Sequence, residues 1–236
     1  MPIFRLDEQD TAFPPPYLAE EPGIIAVGGD LSPDRLLEAY SNGIFPWFNP
    51  GEEPLWWCPN PRFVLYPEKV KVSKSMRQVF RKGNFKVTFD QDCAAVLENC
   101  QQIYRPGQGG ETWISDELKQ SYLDLHKKGF IHSVEVWQDD KLVGGLYGGC
   151  MNKCFFGESM FAKVSNASKV GFIVLAKNLH KHGFELIDCQ VHTRHLESLG
   201  AEMIPRLDFL EVVERNLQKD FVKEDWNTQF QTSYEF

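Results

Sequence analysis

The sequence predicts a mixed α+β / α/β protein: a small, turn-rich N-terminal domain over residues 1–62, then a larger domain over residues 63–218 built on a mixed, largely antiparallel sheet. Three observations predict it. Residues 1–62 concentrate proline, glycine and aromatic residues, as in Phe13-Pro14-Pro15-Pro16, Gly28-Gly29-Asp30, Phe45-Pro46-Trp47-Phe48 and Trp56-Trp57-Cys58-Pro59, which is the chemistry of turns. From Phe63 onward, apolar residues recur with a period that switches between 2 and 3.6, the pattern of alternating strands and helices. Between His132 and Glu158, the pairs Asp139-Asp140 and Asn152-Lys153 separate apolar runs, as the turns of consecutive antiparallel hairpins do.

The elements follow in order. Ser32 or Asp30 caps a short helix from Pro33 to about Asn42, and Gly43 stops it. A strand at Phe63–Tyr66 precedes a helix near Ser75–Lys82, a strand at Phe85–Phe89, and helices near Cys93–Gln102 and Asp116–Lys128. Strands are expected at His132–Gln138, Lys141–Met151 and Lys153–Glu158, followed by a helix near Ser168–His182, a strand at Leu186–Gln190 and a helix near Thr193–Leu199. Gly129 and Gly183 stand where helix C-caps need glycine. The tail, residues 219–236, is polar and aromatic without periodicity and receives no element.

Composition narrows the class. A chain of 236 residues with 42% hydrophobic content can bury a sizeable core. The opening Met1-Pro2-Ile3-Phe4-Arg5-Leu6-Asp7-Glu8 turns polar before any apolar run reaches signal-peptide or membrane-span length. Six scattered cysteines lack paired CxxC spacing, so the expectation is reduced thiols in a cytoplasmic protein, with no metal and no membrane. A net charge of −8 argues against a protein that coats nucleic acid by bulk attraction. Any RNA contact is therefore local, and one stretch qualifies: Arg62, Lys69, Lys71, Lys74, Arg77, Arg81, Lys82 and Lys86 are interrupted by a single acid, Glu68. Lys74, Arg77 and Arg81 follow i, i+3, i+7 spacing, with Met76, Val79 and Phe80 turned inward.

Three constellations bear chemistry. Leu186-Ile187-Asp188-Cys189-Gln190 ends an apolar strand with polar residues at i and i+2, so Asp188 and Gln190 should share a face. A buried carboxylate costs several kcal/mol unless paired, so Asp188 has a structural partner or a task; the amide of Gln190 is the expected donor to it. Glu158 and Ser159 sit in Phe155-Phe156-Gly157-Glu158-Ser159-Met160-Phe161, after the glycine-rich strand Gly144-Gly145-Leu146-Tyr147-Gly148-Gly149; such walls make an apolar pocket with a few polar groups. Trp47, Trp56, Trp57 and Trp113 lie in loop-like sequence. Most tryptophans so placed staple a domain, while others stack on a nucleobase for about 1–3 kcal/mol. His192 and His195 lack the elbow and oxyanion motifs of a triad.

Read in order, Gly28-Gly29-Asp30-Leu31-Ser32-Pro33, Gly43-Ile44-Phe45-Pro46-Trp47-Phe48, Trp56-Trp57-Cys58-Pro59-Asn60-Pro61-Arg62, Phe156-Gly157-Glu158-Ser159-Met160-Phe161, Asn166-Ala167-Ser168-Lys169, Leu186-Ile187-Asp188-Cys189-Gln190 and Ser198-Leu199-Gly200-Ala201 closely resemble the bacterial leucyl/phenylalanyl-tRNA–protein transferase family. The resemblance runs in register from about Phe13 to Leu217. It implies a C-terminal domain of the GNAT (N-acyltransferase) fold that uses no acetyl-CoA and no other cofactor. The implied donor is aminoacyl-tRNA carrying Leu or Phe, with Met slower. The implied acceptors are proteins with N-terminal Arg or Lys, which then enter N-end-rule degradation. Position by position, Asp188 and Gln190 match a proton-relay pair and Glu158 the acid supporting it; Trp47, Trp113 and Tyr122 match the lining of the aminoacyl-adenosine site. Phe155 and Met160 match the side-chain pocket, and Lys74, Arg77, Arg81 and Lys82 the tRNA contact, with Gln78 where a basic residue is common. Asp188 is further expected to attract the cationic acceptor terminus, and the protein to act as a monomer.

Overall fold

The protein is described by a computed structural model over residues 3–49, 51–103, 112–219 and 223–235. A first sheet joins β1 (Phe4–Leu6), β2 (Ile24–Gly28), β3 (Phe45–Pro46) and β4 (Leu55–Trp57) in the order β1-β2-β4-β3. Between β2 and β3 runs α1 (Pro33–Ser41), with Pro33 in its first turn and the Ser32 side chain accepting the Arg35 N–H.

The second sheet holds β5 (Arg62–Leu65), β6 (Lys86–Phe89), β7 (Ile131–Gln138), β8 (Lys141–Met151), β9 (Cys154–Ala162), β10 (Leu186–Gln190) and β11 (Glu202–Ile204), in the order β11-β5-β10-β9-β8-β7-β6. Its helices are α2 (Lys74–Lys82), α3 (Cys93–Gln102), α4 (Asp116–Lys128), α5 (Ala167–Lys181), α6 (Arg194–Glu197), α7 (Arg206–Leu217) and α8 (Trp226–Gln229). Every neighbouring pair in this sheet is antiparallel except β9 with β10. That exception follows from α5, the crossover that returns the chain to the same end of the sheet. The mixed, largely antiparallel sheet expected from the hairpin signals is the one observed.

Three expectations need correction. β9 continues four residues past Glu158, to Ala162, because Met160 and Phe161 keep pairing with Leu146 and Gly145 across the hairpin. α6 is one turn, ending at Glu197 rather than Leu199. The tail received no element, yet among its described residues α8 forms over Trp226–Gln229, and Trp226 and Phe230 are buried in the core.

The two sheets do not have separate cores. One cluster unites Ile25, Leu36 and Trp56 of the N-terminal part with Leu118, Tyr147, Phe156 and Phe209 of the larger part. A second lies on the other side of the large sheet, under α5, and includes Val134, Phe155, Ile173, Leu175 and Trp226. Trp226 is clamped between the His132 ring at 4.0 Å and the Phe230 ring at 4.5 Å, with Phe155 at 5.7 Å. Removing so large a buried ring costs about 3–5 kcal/mol. Trp226→Ala is therefore expected to lower the unfolding free energy by that amount, seen as a lower urea midpoint at unchanged slope, whereas Tyr17→Ala, an exposed aromatic, leaves the free energy within about 0.5 kcal/mol.

Candidate active site

β9 and β10 are the two strands that build the site, and they diverge. They pair only over Cys154–Phe156 and Leu186–Asp188. Beyond that point a cavity of about 520 Å3 opens between them. Six consecutive β9 residues, Gly157 to Ala162, line it, as do five consecutive residues from Ile187 to Val191. Side chains of a strand alternate between faces, so unbroken runs on both sides mean the cavity follows the strand edges. Leu146, Phe155, Phe172 and Leu196 make an apolar wall, and Phe45, Trp47, Ile103 and Trp113 also line the cavity.

Glycine in β8 sets the wall. A Cβ on Gly148 would stand 2.2 Å from the Phe156 carbonyl and 2.5 Å from the Phe155 ring, and one on Gly149 would stand 2.8 Å from the Tyr40 ring. Tyr40 and Phe155 can approach β8 only because these side chains are missing.

Glu158 stands at the apex of the divergence, buried. Tyr40 Oη donates to its Oε1 at 3.0 Å and Tyr122 Oη to its Oε2 at 2.9 Å. Gln190 Nε2 also donates to Oε1, at 3.1 Å. Burial pushes the Glu158 carboxyl up to about 7, with the neighbouring Asp188 charge adding to the rise while the three donors oppose it. Burial, then the Glu158 charge, raises both tyrosine hydroxyls well above their usual range, so they remain donors.

Asp188 is tied differently from the sequence expectation. Both its oxygens are taken by Arg62, Nε to Oδ1 at 2.8 Å and Nη2 to Oδ2 at 2.6 Å. Arg62 is itself fully buried, its guanidinium 4.7 Å from the Phe45 ring centroid and 4.5 Å from that of Phe209. Gln190 touches Asp188 through its backbone N–H, at 2.9 Å, while its side-chain amide turns to Glu158. The pair therefore does not keep strict i, i+2 geometry: the register shifts between Asp188 and Gln190, and Gln190 is left-handed at φ +63°. An L-residue held there is strained unless its surroundings fix it, and the Asp188 carboxylate supplies the bond that does. Asp188 is thus already neutralised by Arg62, which removes it as a free attractor for a cationic acceptor.

The other expected residues divide clearly. Trp47, 38% exposed, and half-buried Trp113 line the mouth, and Phe155 and Met160 line the wall. Tyr122 is fully buried behind Glu158 rather than on the cavity surface. Lys74, Arg77, Arg81 and Lys82 are exposed on α2 and, among the described residues, make no ion pair. Met76 faces inward from the same helix. Arg62, counted at sequence level with that basic run, is instead part of the core, and Lys69 pairs with Glu202.

Sequence reasoning missed Tyr40, put Arg62 with the basic run and set His195 aside. Tyr40 carried a signal, since Leu36 and Tyr40 are i, i+4 on α1. His195 lines the cavity with Nε2 buried and, among the described residues, unpartnered; burial and nearby Lys169 hold it below the usual imidazole value. Among the described residues no cluster of three or more His, Cys, Asp or Glu could hold a metal, and no helix is long and apolar enough to cross a membrane.

Comparison with known proteins places the chain. A family model described as Leucyl/phenylalanyl-tRNA protein transferase matches residues 64–234, and one for the N-terminal domain of the same family matches residues 29–60. A leucyl/phenylalanyl-tRNA–protein transferase of Syntrophus aciditrophicus (strain SB) is 52% identical over 233 residues, 99% of this chain and 97% of that protein. One of Myxococcus xanthus (strain DK1622) is 48% identical over 227 residues, 96% of this chain and 97% of its own. Among solved structures, L-PGS from Bacillus licheniformis superposes over 72% of this chain and 53% of its own at 7% identity, with a TM-score of 0.39, which stops short of a shared fold. Likeness over the full length to transferases defines the class: an aminoacyltransferase whose substrates are aminoacyl-tRNA and protein. The chain belongs to the leucyl/phenylalanyl-tRNA–protein transferase family.

Because the folded carboxyl titrates above the usual value, Glu158 favours the fold below its unfolded value and loses that contribution as pH rises through about 7. Difference infrared spectroscopy, with Glu158→Gln as the blank, should show a carboxylic acid titrating near pH 7. In Tyr40→Phe the midpoint should move upward, since a donor to the ionised form is lost. A midpoint in the usual carboxylate range would contradict the burial.

Proposed function

We propose that this protein moves Leu or Phe, and Met more slowly, from tRNA onto the α-amino group of acceptor proteins beginning with Arg or Lys, marking them for N-end-rule degradation. It does so as a cytoplasmic monomer, without cofactor. The observation that carries the reading is the Tyr40, Tyr122 and Gln190 network on Glu158, set where an apolar cavity narrows between two diverging strands. The seven-stranded mixed sheet with its acyl-sized cavity between strands supports a GNAT-like (N-acyltransferase) assignment for residues 63–218, with residues 1–62 as the smaller domain.

The chemistry balances without an external energy source. The acceptor nitrogen attacks the ester carbonyl, the carbon–oxygen bond to the ribose breaks, and the nitrogen's proton ends on the leaving ribose oxygen. Ester is exchanged for amide, which is downhill. Holding both reactants in attack geometry supplies roughly 7–11 kcal/mol. A peptide α-amino group, which ordinarily titrates at about 7.7–8.0, is on the order of one-tenth neutral at pH 7, so a weak base suffices. With Nε2 committed to Glu158, Gln190 Oε1 has no hydrogen bond among the described residues and accepts from the attacking amine. Ionised Glu158, a group poised near pH 7, accepts from Gln190 Nε2 and through that amide supports the positive charge that builds on the attacking nitrogen until its proton passes to the ribose oxygen. Asp188 holds Gln190 in place rather than touching substrate.

Selectivity rests on the wall of Leu146, Phe155, Met160 and Phe172. A missing methylene discriminates only about 10–200-fold, so β-branched donors are rejected by shape. Trp47 and Trp113 flank the terminal adenosine, and Lys74, Arg77, Arg81 and Lys82 meet tRNA phosphates.

Radiolabelled phenylalanine should pass from charged tRNA to a peptide beginning with Arg and not to its N-acetylated form. Gln190→Asn keeps a residue that tolerates left-handed backbone and shortens the amide's reach. Its single-turnover transfer should fall at least about tenfold with tRNA affinity unchanged; full activity would remove the relay.

A further inference from the structure

A second cavity, of about 230 Å3, lies away from the catalytic one and has no role in the reaction described above. It is lined by Val79 and Lys82 of α2, by Asn84 and Phe85, by Gln138 at the end of β7, and by Val164, Ser165 and Asn166 ahead of α5. In a chain of net charge −8, no acid is among these residues. Asn84, Gln138, Ser165 and Asn166 make no side-chain hydrogen bond among the described residues, so their amides and hydroxyl are open to a ligand. Asn166 precedes α5 in a left-handed conformation, φ +70°, without capping it through its side chain.

The location bears on what fits there. One side is Lys82, the last residue of the basic helix; the other is the start of α5, where Ser168, two residues beyond Asn166, lines the catalytic cavity. Ser168 is nine-tenths buried and its hydroxyl has no partner among the described residues. Lys163, next in sequence to the pocket residues Val164, Ser165 and Asn166, has its Nζ 5.8 Å from the Phe161 ring of the catalytic wall. A cationic helix, a small amide-lined pocket, uncapped helix N–H groups and a reaction cavity therefore follow one another along the surface.

We propose that this pocket binds one nucleotide of the single-stranded 3′ end of the donor tRNA, upstream of the aminoacylated residue. Amide side chains present paired donor and acceptor atoms that match the edge of a splayed base. Half-buried Phe85 gives a ring to stack on. Lys82 and the start of α5 take the flanking phosphates. The volume admits one base and no folded segment. The inference rests on the reading that aminoacyl-tRNA is the donor.

The test compares two donors, phenylalanyl-tRNA and phenylalanyl-adenosine, which lacks upstream nucleotides, on the Asn84→Ala/Gln138→Ala protein and on Asn166→Gly, which keeps the left-handed backbone. KM for phenylalanyl-tRNA should rise about tenfold at unchanged kcat, and KM for phenylalanyl-adenosine should not change. A tRNA made abasic at one 3′ single-stranded position should raise KM similarly on the unaltered protein and add nothing on the double variant. An unchanged KM for tRNA, an equal loss with both donors, or additive effects of the abasic tRNA and the variant would overturn the site. Transfer from neither donor by the unaltered protein would instead overturn the functional reading, and the pocket's role with it.

Discussion

The buried pair of Arg62 and Asp188 is the constraint on which the site depends. Taking both charges out of water costs several kcal/mol each, and an apolar pair of equal volume would often be as stable or more so. Stability alone therefore does not account for it. What the pair provides is position. Arg62 starts β5, and the rings on its two sides come from β3 and α7, so one guanidinium joins both sheets and the last long helix. Its bidentate grip fixes both carboxylate oxygens, and one of them then holds the Gln190 N–H.

From that bond the chain turns left-handed, and the turn sends the Gln190 side chain away from Asp188 toward Glu158. A regular strand would have put both side chains on one face and closed β10 against β9. The bulge therefore does two things at once: it aims an amide and ends the pairing that would fill the cavity. Tyr40 completes the constellation from the N-terminal side, across a core that the N-terminal and larger parts share.

Much of the frame was legible in the sequence. The bounds of α3, α4, β8 and β10 follow from periodicity and flanking turn residues, because long amphipathic or alternating runs carry their own register. β11 has three residues, too few for a period to register. α7 was missed although Phe209, Val213 and Asn216 are spaced for one buried face. In the site, the carboxylates and the amide were visible as polar residues in apolar strands. Their partners were not. The i, i+2 rule gave Asp188 to Gln190, and only three-dimensional proximity over 126 residues gives it to Arg62. Counting Arg62 among surface cations was natural from its neighbours in sequence and wrong for its place in the fold.

The charge balance inside the cavity follows from the same arrangement. Arg62 offsets the Asp188 charge at contact distance, whereas Glu158 has only neutral hydrogen-bond donors around it. A cation brought alongside would favour the ionised carboxylate, just as the Asp188 charge favours the protonated one. On the proposed mechanism, a protonated acceptor amine favours the ionised form of this group, which then supports the positive charge on the attacking nitrogen. Had Asp188 been left unpaired, two carboxylates would have shared the cleft, and the repulsion between them would have pushed Glu158 higher still. On the proposed mechanism, neutralising one acid keeps the other within reach of the proton transfer that amide formation requires.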